Sequence, residues 1–290
     1  AMRAGLLLLS FVAGSAWATL LSRSFMMFGC LGFVLARNRN IFLSRDGGFP
    51  WPEWGMMREL VRLGWPAAIQ TTLEVGVFAA ATYLAAWFEP TALAGYQIVL
   101  NLSSVTFMVP LGVSAATAVR VGHAVGRREP VAAIVAGWAG LILGVGFMGF
   151  AAFAFLVFPR TLLGLYGCEA EVIRLGVGLL AVAAVFQLFD GTQVVIIGAL
   201  RGLGETRLPM YCGLVAYWFL GLPLGALLAF RGKLGVLGLW IGLSLGLIIT
   251  GVVLLAAWRT RSRALRQEAL PPPPLSIPPR GAEAVDLITT

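Results

Sequence analysis

Residues 172–199, VIRLGVGLLAVAAVFQLFDGTQVVIIGA, decide how this chain is to be read. The run is long enough and apolar enough to cross a bilayer as a helix, which needs about 20 residues. Yet Asp190 lies deep inside it. A charged group at the centre of a membrane helix costs roughly 2.5–3.5 kcal/mol on insertion scales, so such a residue marks function until shown otherwise. Of the 13 acidic residues, only Glu74 shares this setting; the others stand at stretch ends, in polar segments or in the tail.

The totals agree with a membrane chain. Of 290 residues, 59% are hydrophobic and 12% charged, and the mean hydropathy is +0.89; soluble domains carry about 25% charged residues. The expected fold class is all-α, a polytopic bundle of about seven transmembrane helices. Gly5–Ala36 is too long for one span and too short for two, and breaks best near Gly14-Ser15. Six more spans are expected near 65–87, 92–118, 131–158, 172–199, 208–230 and 234–258, with kinks at Pro110 and Pro223. The segment 37–62 reads as a loop, with Gly47-Gly48 and Pro50-Trp51-Pro52 as breakers. The organisation is therefore 1–36 as a remnant of an N-terminal lobe, 37–62 as a cytoplasmic linker, 63–260 as a six-helix lobe, and 261–290 as a disordered tail rich in Pro271–Pro274, Pro278 and Pro279.

The net charge of +8 comes from basic residues between the apolar runs. This pattern points to topology rather than nucleic acid. Alternate loops hold 14 Arg, against 4 Arg or Lys in the intervening ones. The positive-inside rule puts the first set, and with it the C-terminus, in the cytoplasm. The three cysteines, Cys30, Cys168 and Cys212, have no metal-ligand spacing. No phosphate loop, HExxH, GxSxG or dinucleotide fingerprint occurs, so no enzyme and no organic cofactor is indicated.

Glu74 falls about 15 Å into its span, near half of a 30 Å hydrocarbon core. Helical spacing surrounds both acids with polar neighbours. Gln70 precedes Glu74 by one turn, and Gln187 and Gln193 flank Asp190 at three residues on either side. Phe186, one turn before Asp190, adds an aromatic surface for a substrate cavity. Gln97 and Asn101, with Ser103, Ser104 and Thr106, could complete a cation shell from the span 92–118. Two readings stand for the acids: a site that binds and releases Na+ or H+, or hydrogen-bonded links between helices.

Several ordered motifs carry a resemblance. Leu63-Gly64-Trp65-Pro66 opens the span bearing Glu74, and Ala94-Gly95-Tyr96-Gln97-Ile98-Val99-Leu100-Asn101 follows. Then come Phe107-Met108-Val109-Pro110-Leu111-Gly112, Phe186-Gln187-Leu188-Phe189-Asp190, Gly198-Ala199-Leu200-Arg201-Gly202-Leu203-Gly204-Glu205-Thr206, Tyr217-Trp218 and Gly221-Leu222-Pro223-Leu224-Gly225. As a set they resemble the multidrug and toxic compound extrusion (MATE) family in its NorM-like branch, over about residues 14–258.

The resemblance implies a twelve-helix protein of two six-helix lobes, of which this chain holds the sixth helix and the second lobe, the rest of the first lobe being missing. It implies export of drugs or organic cations across the bacterial inner membrane by antiport with Na+ or H+. It also implies that Asp190 and Glu74 are the cation-coupling pair. Phe186 stands where related chains often have Tyr, which removes one oxygen from a sodium shell. A flippase for lipid-linked precursors, of the same wider superfamily, would line its cavity with basic residues, and only Arg23 lies well inside a span. A seven-span receptor fits by count alone. A partial chain that moves nothing is the remaining alternative, since alternating access needs two lobes.

Overall fold

The computed structural model describes residues 2–37 and 53–268, and all of its regular structure there is helical. The Gly47-Gly48 and Pro50-Trp51-Pro52 breakers and the Pro-rich tail from Pro271 lie outside the described residues. The chain divides into two units, Ala1–Met57 and Arg58–Thr290.

In the first unit, helix α1 runs unbroken over Met2–Arg37. The expected break at Gly14-Ser15 does not occur. A single glycine costs a helix only about 1 kcal/mol, and no proline accompanies it. The candidate span is Ala16–Ala36, and Trp17, Phe25, Phe28 and Phe33 are exposed along it.

The second unit is a bundle of α2 (Trp54–Ala85, which belongs to it from Arg58 on), α3 (Pro90–Gly126), α4 (Pro130–Val157), the short α5 (Pro159–Gly164), α6 (Ala170–Gly202), α7 (Arg207–Phe230) and α8 (Val236–Glu268). Among the described residues, six helices are long and apolar enough to cross a membrane. The seventh expected span, α2, is 32 residues long but falls outside this set. Gln70 and Glu74, the residues of interest, are what lower its hydropathy. Helix α2 also starts well before Trp65: nothing after Pro52 breaks the pattern, and Pro66 is carried inside the helix. Likewise α8 continues to Glu268, past the expected end near 258, because Arg259–Arg266 contains only helix-tolerant residues.

Prolines and turns set the boundaries. Pro90, Pro130 and Pro159 occupy first-turn positions, where the absent N–H is not missed. Helix α6 ends in a Schellman turn. Gly204 takes φ 79°, its N–H donates to Arg201 O, and the Glu205 N–H donates to Leu200 O at 2.9 Å. Ahead of Pro223, α7 widens into a π-helical stretch over Leu214–Gly221. Such a stretch relieves the clash of a proline ring with the carbonyl four residues earlier.

Helix α6 is the centre of the bundle and packs on α3, α4 and α8. Leu179, Leu180, Ile196 and Leu200 are fully buried on it. In lipid there is little hydrophobic force between helices, so close packing must hold them. Helix α8 presents Gly238, Gly242 and Gly246 at four-residue spacing to the backbone of α7: Gly238 against Leu228 and Ala229, Gly242 against Gly221 and Gly225, and Gly246 against Ala216 and Gly221. A β-carbon on Gly242 would lie 2.2 Å from the Gly225 α-carbon. The two backbones are thus in direct contact, which fixes Tyr217 and Trp218 of α7 in place.

Candidate functional site

Glu74 on α2 and Asp190 on α6 come together through one amide. Gln193 Nε2 donates to Glu74 Oε1 at 3.2 Å and to Asp190 Oδ1 at 3.4 Å. The second oxygen of Glu74 accepts from Gln70 Nε2 at 3.0 Å. Tyr217 of α7 donates its hydroxyl to Gln193 Oε1. The neighbouring Trp218 donates its indole N–H to the carbonyl of Leu73 at 3.0 Å, beside Glu74. Three helices therefore meet on one polar network. Gln193 is 0% exposed and Asp190 6%, while Glu74 is half-buried.

Local helix geometry explains half of this arrangement. Residues three and four apart share a helix face, so Gln70 meets Glu74 and Gln193 meets Asp190 without help from tertiary structure. The other half depends on the register between α2, α6 and α7. Gln187, on the same α6 face, is 0% exposed and donates to Thr106 of α3.

The remaining expected site residues lie elsewhere. Gln97 and Asn101 are exposed and line a separate cavity of about 380 Å³ with Ser104 and Tyr166. There the Tyr166 hydroxyl donates to Asn101 Oδ1 at 2.7 Å. Ser103 is buried on the opposite side of the helix. Phe186 is 2% exposed and sits edge-on to Phe78 and Trp240, with ring centroids 6.0 and 5.4 Å apart. It is a core residue of this lobe. Tyr217 was not among the expected site residues. Its signal in the sequence is a phenol in an apolar span, which is buried only with a partner for its hydroxyl.

A crevice with no room for water, lined by Gln70, Ile197, Arg201 and Thr206, lies between the network and the α6–α7 turn. Beyond it a cavity of about 700 Å³ opens among Arg62, Glu59, Glu205, Arg207 and Arg261. Arg261 holds both oxygens of Glu205 there, at 2.7 and 2.9 Å. Among the described residues no group of three or more His, Cys, Asp or Glu has the form of a metal site. Carboxylate oxygens such as those of Glu74 and Asp190 are of the kind that take a hard cation or a proton.

The family model MatE matches residues 66–227. The chain belongs to the MatE, or multidrug and toxic compound extrusion, family. A curated MatE relative, the probable multidrug resistance protein NorM of Brucella suis, is 39% identical over 251 residues, 85% of this chain and 53% of the relative. The multidrug resistance protein NorM of Burkholderia vietnamiensis is 45% identical over 213 residues, 72% of this chain and 46% of the relative. The chain thus spans about half the length of the curated relatives it matches. Among solved structures, the outward-facing conformation of a multidrug resistance MATE family transporter superposes with a TM-score of 0.75 at 19% identity, covering 88% of this chain and 57% of that one. The bent form of the Vibrio cholerae MATE transporter VcmN gives 0.69 at 20% identity, covering 81% and 54%. These distant structures share the fold: the chain is a multi-pass helical membrane protein with MATE architecture.

Proposed function

We propose that the chain forms one lobe of a secondary transporter that exports drugs or organic cations across the bacterial inner membrane in exchange for Na+ or H+, with Asp190 and Glu74 as the coupling pair and the C-terminus in the cytoplasm. The observation that carries this reading is the single amide of Gln193 bridging two carboxylates on different helices, that of Asp190 in a candidate membrane span. Ionised carboxylates are expensive in oil, and a chain that merely needed helix links could use amides and hydroxyls throughout. The names of the relatives, multidrug resistance proteins of the NorM type, support the drug-export part of the reading.

In the mechanism, a cation entering from outside binds at Asp190 with Glu74 assisting. Neutralising the pair favours the state that releases substrate outward, and loss of the cation to the cytoplasm resets the site. Coupling of this kind requires the ion to bind the two states unequally; a tenfold preference corresponds to about 1.4 kcal/mol. Alternating access needs a second lobe, so the activity belongs to the complete two-lobed transporter. Asp190→Asn in that protein should abolish ion-driven efflux of ethidium while leaving membrane insertion intact. Efflux at the wild-type rate would reject the proposal.

A further inference from the structure

The first turns of α2, the last turns of α3 and α8, and the α6–α7 turn surround one opening at an end of the bundle. Among the described residues, five charged side chains line this cavity of about 700 Å³: Glu59, Arg62, Glu205, Arg207 and Arg261. Arg261 grips both oxygens of Glu205, so that carboxylate already has its partner. Arg62 and Arg207 are exposed, and among the described residues neither has a hydrogen bond or ion pair. Against these two cations stands Glu59, so the opening keeps a net positive charge. Guanidinium groups present forked N–H donors that match the oxygens of a phosphate.

The rest of the wall is apolar, with Leu63, Val125, Leu203 and Leu265. Such walls suit the glycerol and ester part of a lipid better than a dissolved anion. Trp65, exposed one turn beyond Arg62, marks the depth at which lipid headgroups lie. A second groove, of about 260 Å³, runs along α7 and α8 and is lined by Tyr211, Val215, Ile249 and Val253 among others. It begins one turn in from the cavity: Arg207, Tyr211 and Val215 are neighbours in turn on α7. Val215 lies about 12 Å along its helix from Arg207, and Val253 about 12 Å along α8 from Arg261. A basic opening thus leads, on the same two helices, to an apolar trough at the depth of an acyl chain.

We propose that the cavity and the groove form one binding site for an anionic phospholipid: the headgroup phosphate meets Arg62 and Arg207, and an acyl chain fills the groove between α7 and α8. A zwitterionic headgroup would bring its own cation against two unpaired guanidinium groups. Free phosphate shares the recognition chemistry but has nothing to place in the groove. The site is separate from the acidic pair and stands whatever that pair binds.

The test is a titration of the purified full chain in non-ionic detergent with phosphatidylglycerol, read by native mass spectrometry. Phosphatidylcholine and inorganic phosphate are the comparison probes, and a thermal melt verifies the folding of each variant. Phosphatidylglycerol should bind saturably and more tightly than phosphatidylcholine. Arg62→Gln and Arg207→Gln should each weaken it about fivefold, the effect of one basic residue near an anionic lipid surface. Either variant serves if the other does not fold. Arg231→Gln, at the opposite end of α7, should leave binding unchanged. Val215→Trp fills the groove and should weaken binding on the order of tenfold, the equivalent of about two buried methylene groups. Equal binding of phosphatidylcholine overturns the proposal, as does an equal loss in Arg231→Gln, which would reduce the effect to surface charge. Inorganic phosphate that displaces the lipid at equal concentration overturns it in favour of a dissolved anion. Unchanged lipid binding in Val215→Trp, or in both arginine variants, overturns it as well.

Discussion

Replacing Gly242 by alanine puts a methyl group where none fits. The added β-carbon would stand 2.2 Å from the α-carbon and 2.3 Å from the nitrogen of Gly225, and 2.6 Å from the carbonyl oxygen of Gly221. Carbon atoms in contact prefer about 3.5–4.0 Å. The helices must therefore part by more than 1 Å, roughly, along a seam where every obstructing atom is backbone and none can rotate away. Overpacking costs typically 1–3 kcal/mol, and a rigid seam belongs at the upper end. At about 3 kcal/mol, the unfolding midpoint of a unit this size should fall on the order of 6–12 °C. Alanine's better helix propensity returns only about 1 kcal/mol. Gly146→Ala is the matched control, since nothing lies within 4 Å of its added methyl. Thermal unfolding in detergent, followed by tryptophan fluorescence, reads both variants. A Gly242→Ala protein that melts with the wild type, or with Gly146→Ala, would refute the claim that α7 and α8 pack backbone on backbone.

Phe186→Ala opens a hole between Phe78 and Trp240 and should cost about 3–5 kcal/mol, measured by the same melt. Arg261→Ala breaks the bidentate pair with Glu205, but the arginine is largely exposed; the loss should stay within about 0.2–1 kcal/mol and shrink further in high salt. Glu74→Gln still offers an oxygen to Gln193, and its new NH2 can donate to Gln70 once that amide turns over, so the lobe should fold normally while ion-driven ethidium efflux by the complete transporter falls at least tenfold. Loss of folding together with efflux would make Glu74 a structural link.

The spans were readable because lipid demands continuous apolar runs, and loops interrupt them. Their ends were less readable. Trp54–Arg62 is polar enough to pass for a loop yet has no breaker, and it is helical. Glu74 and Asp190 stood out because acids are rare in oil, and Gln70 and Gln193 followed from the helical repeat. The choice of partners across helices was not readable. At 100° per residue, Gln97 lies on the opposite side of α3 from Thr106, the residue that faces α6. Pattern along one helix cannot say which side meets a neighbour. Tyr217 lies 24 residues from Gln193 along the chain. The contact exists because the glycines of α7 and α8 set the register, and spacing in sequence holds no trace of it.

Reverse coupling tests the acidic pair most directly. Vesicles holding the complete transporter, with no ion gradient imposed, receive a pulse of ethidium on one side while sodium and proton movements are recorded. Downhill ethidium flux should drive one of these cations in the opposite direction, and the cation movement should vanish in Asp190→Asn. Ethidium flux that moves neither ion, or an ion response that survives without the Asp190 carboxylate, would contradict it.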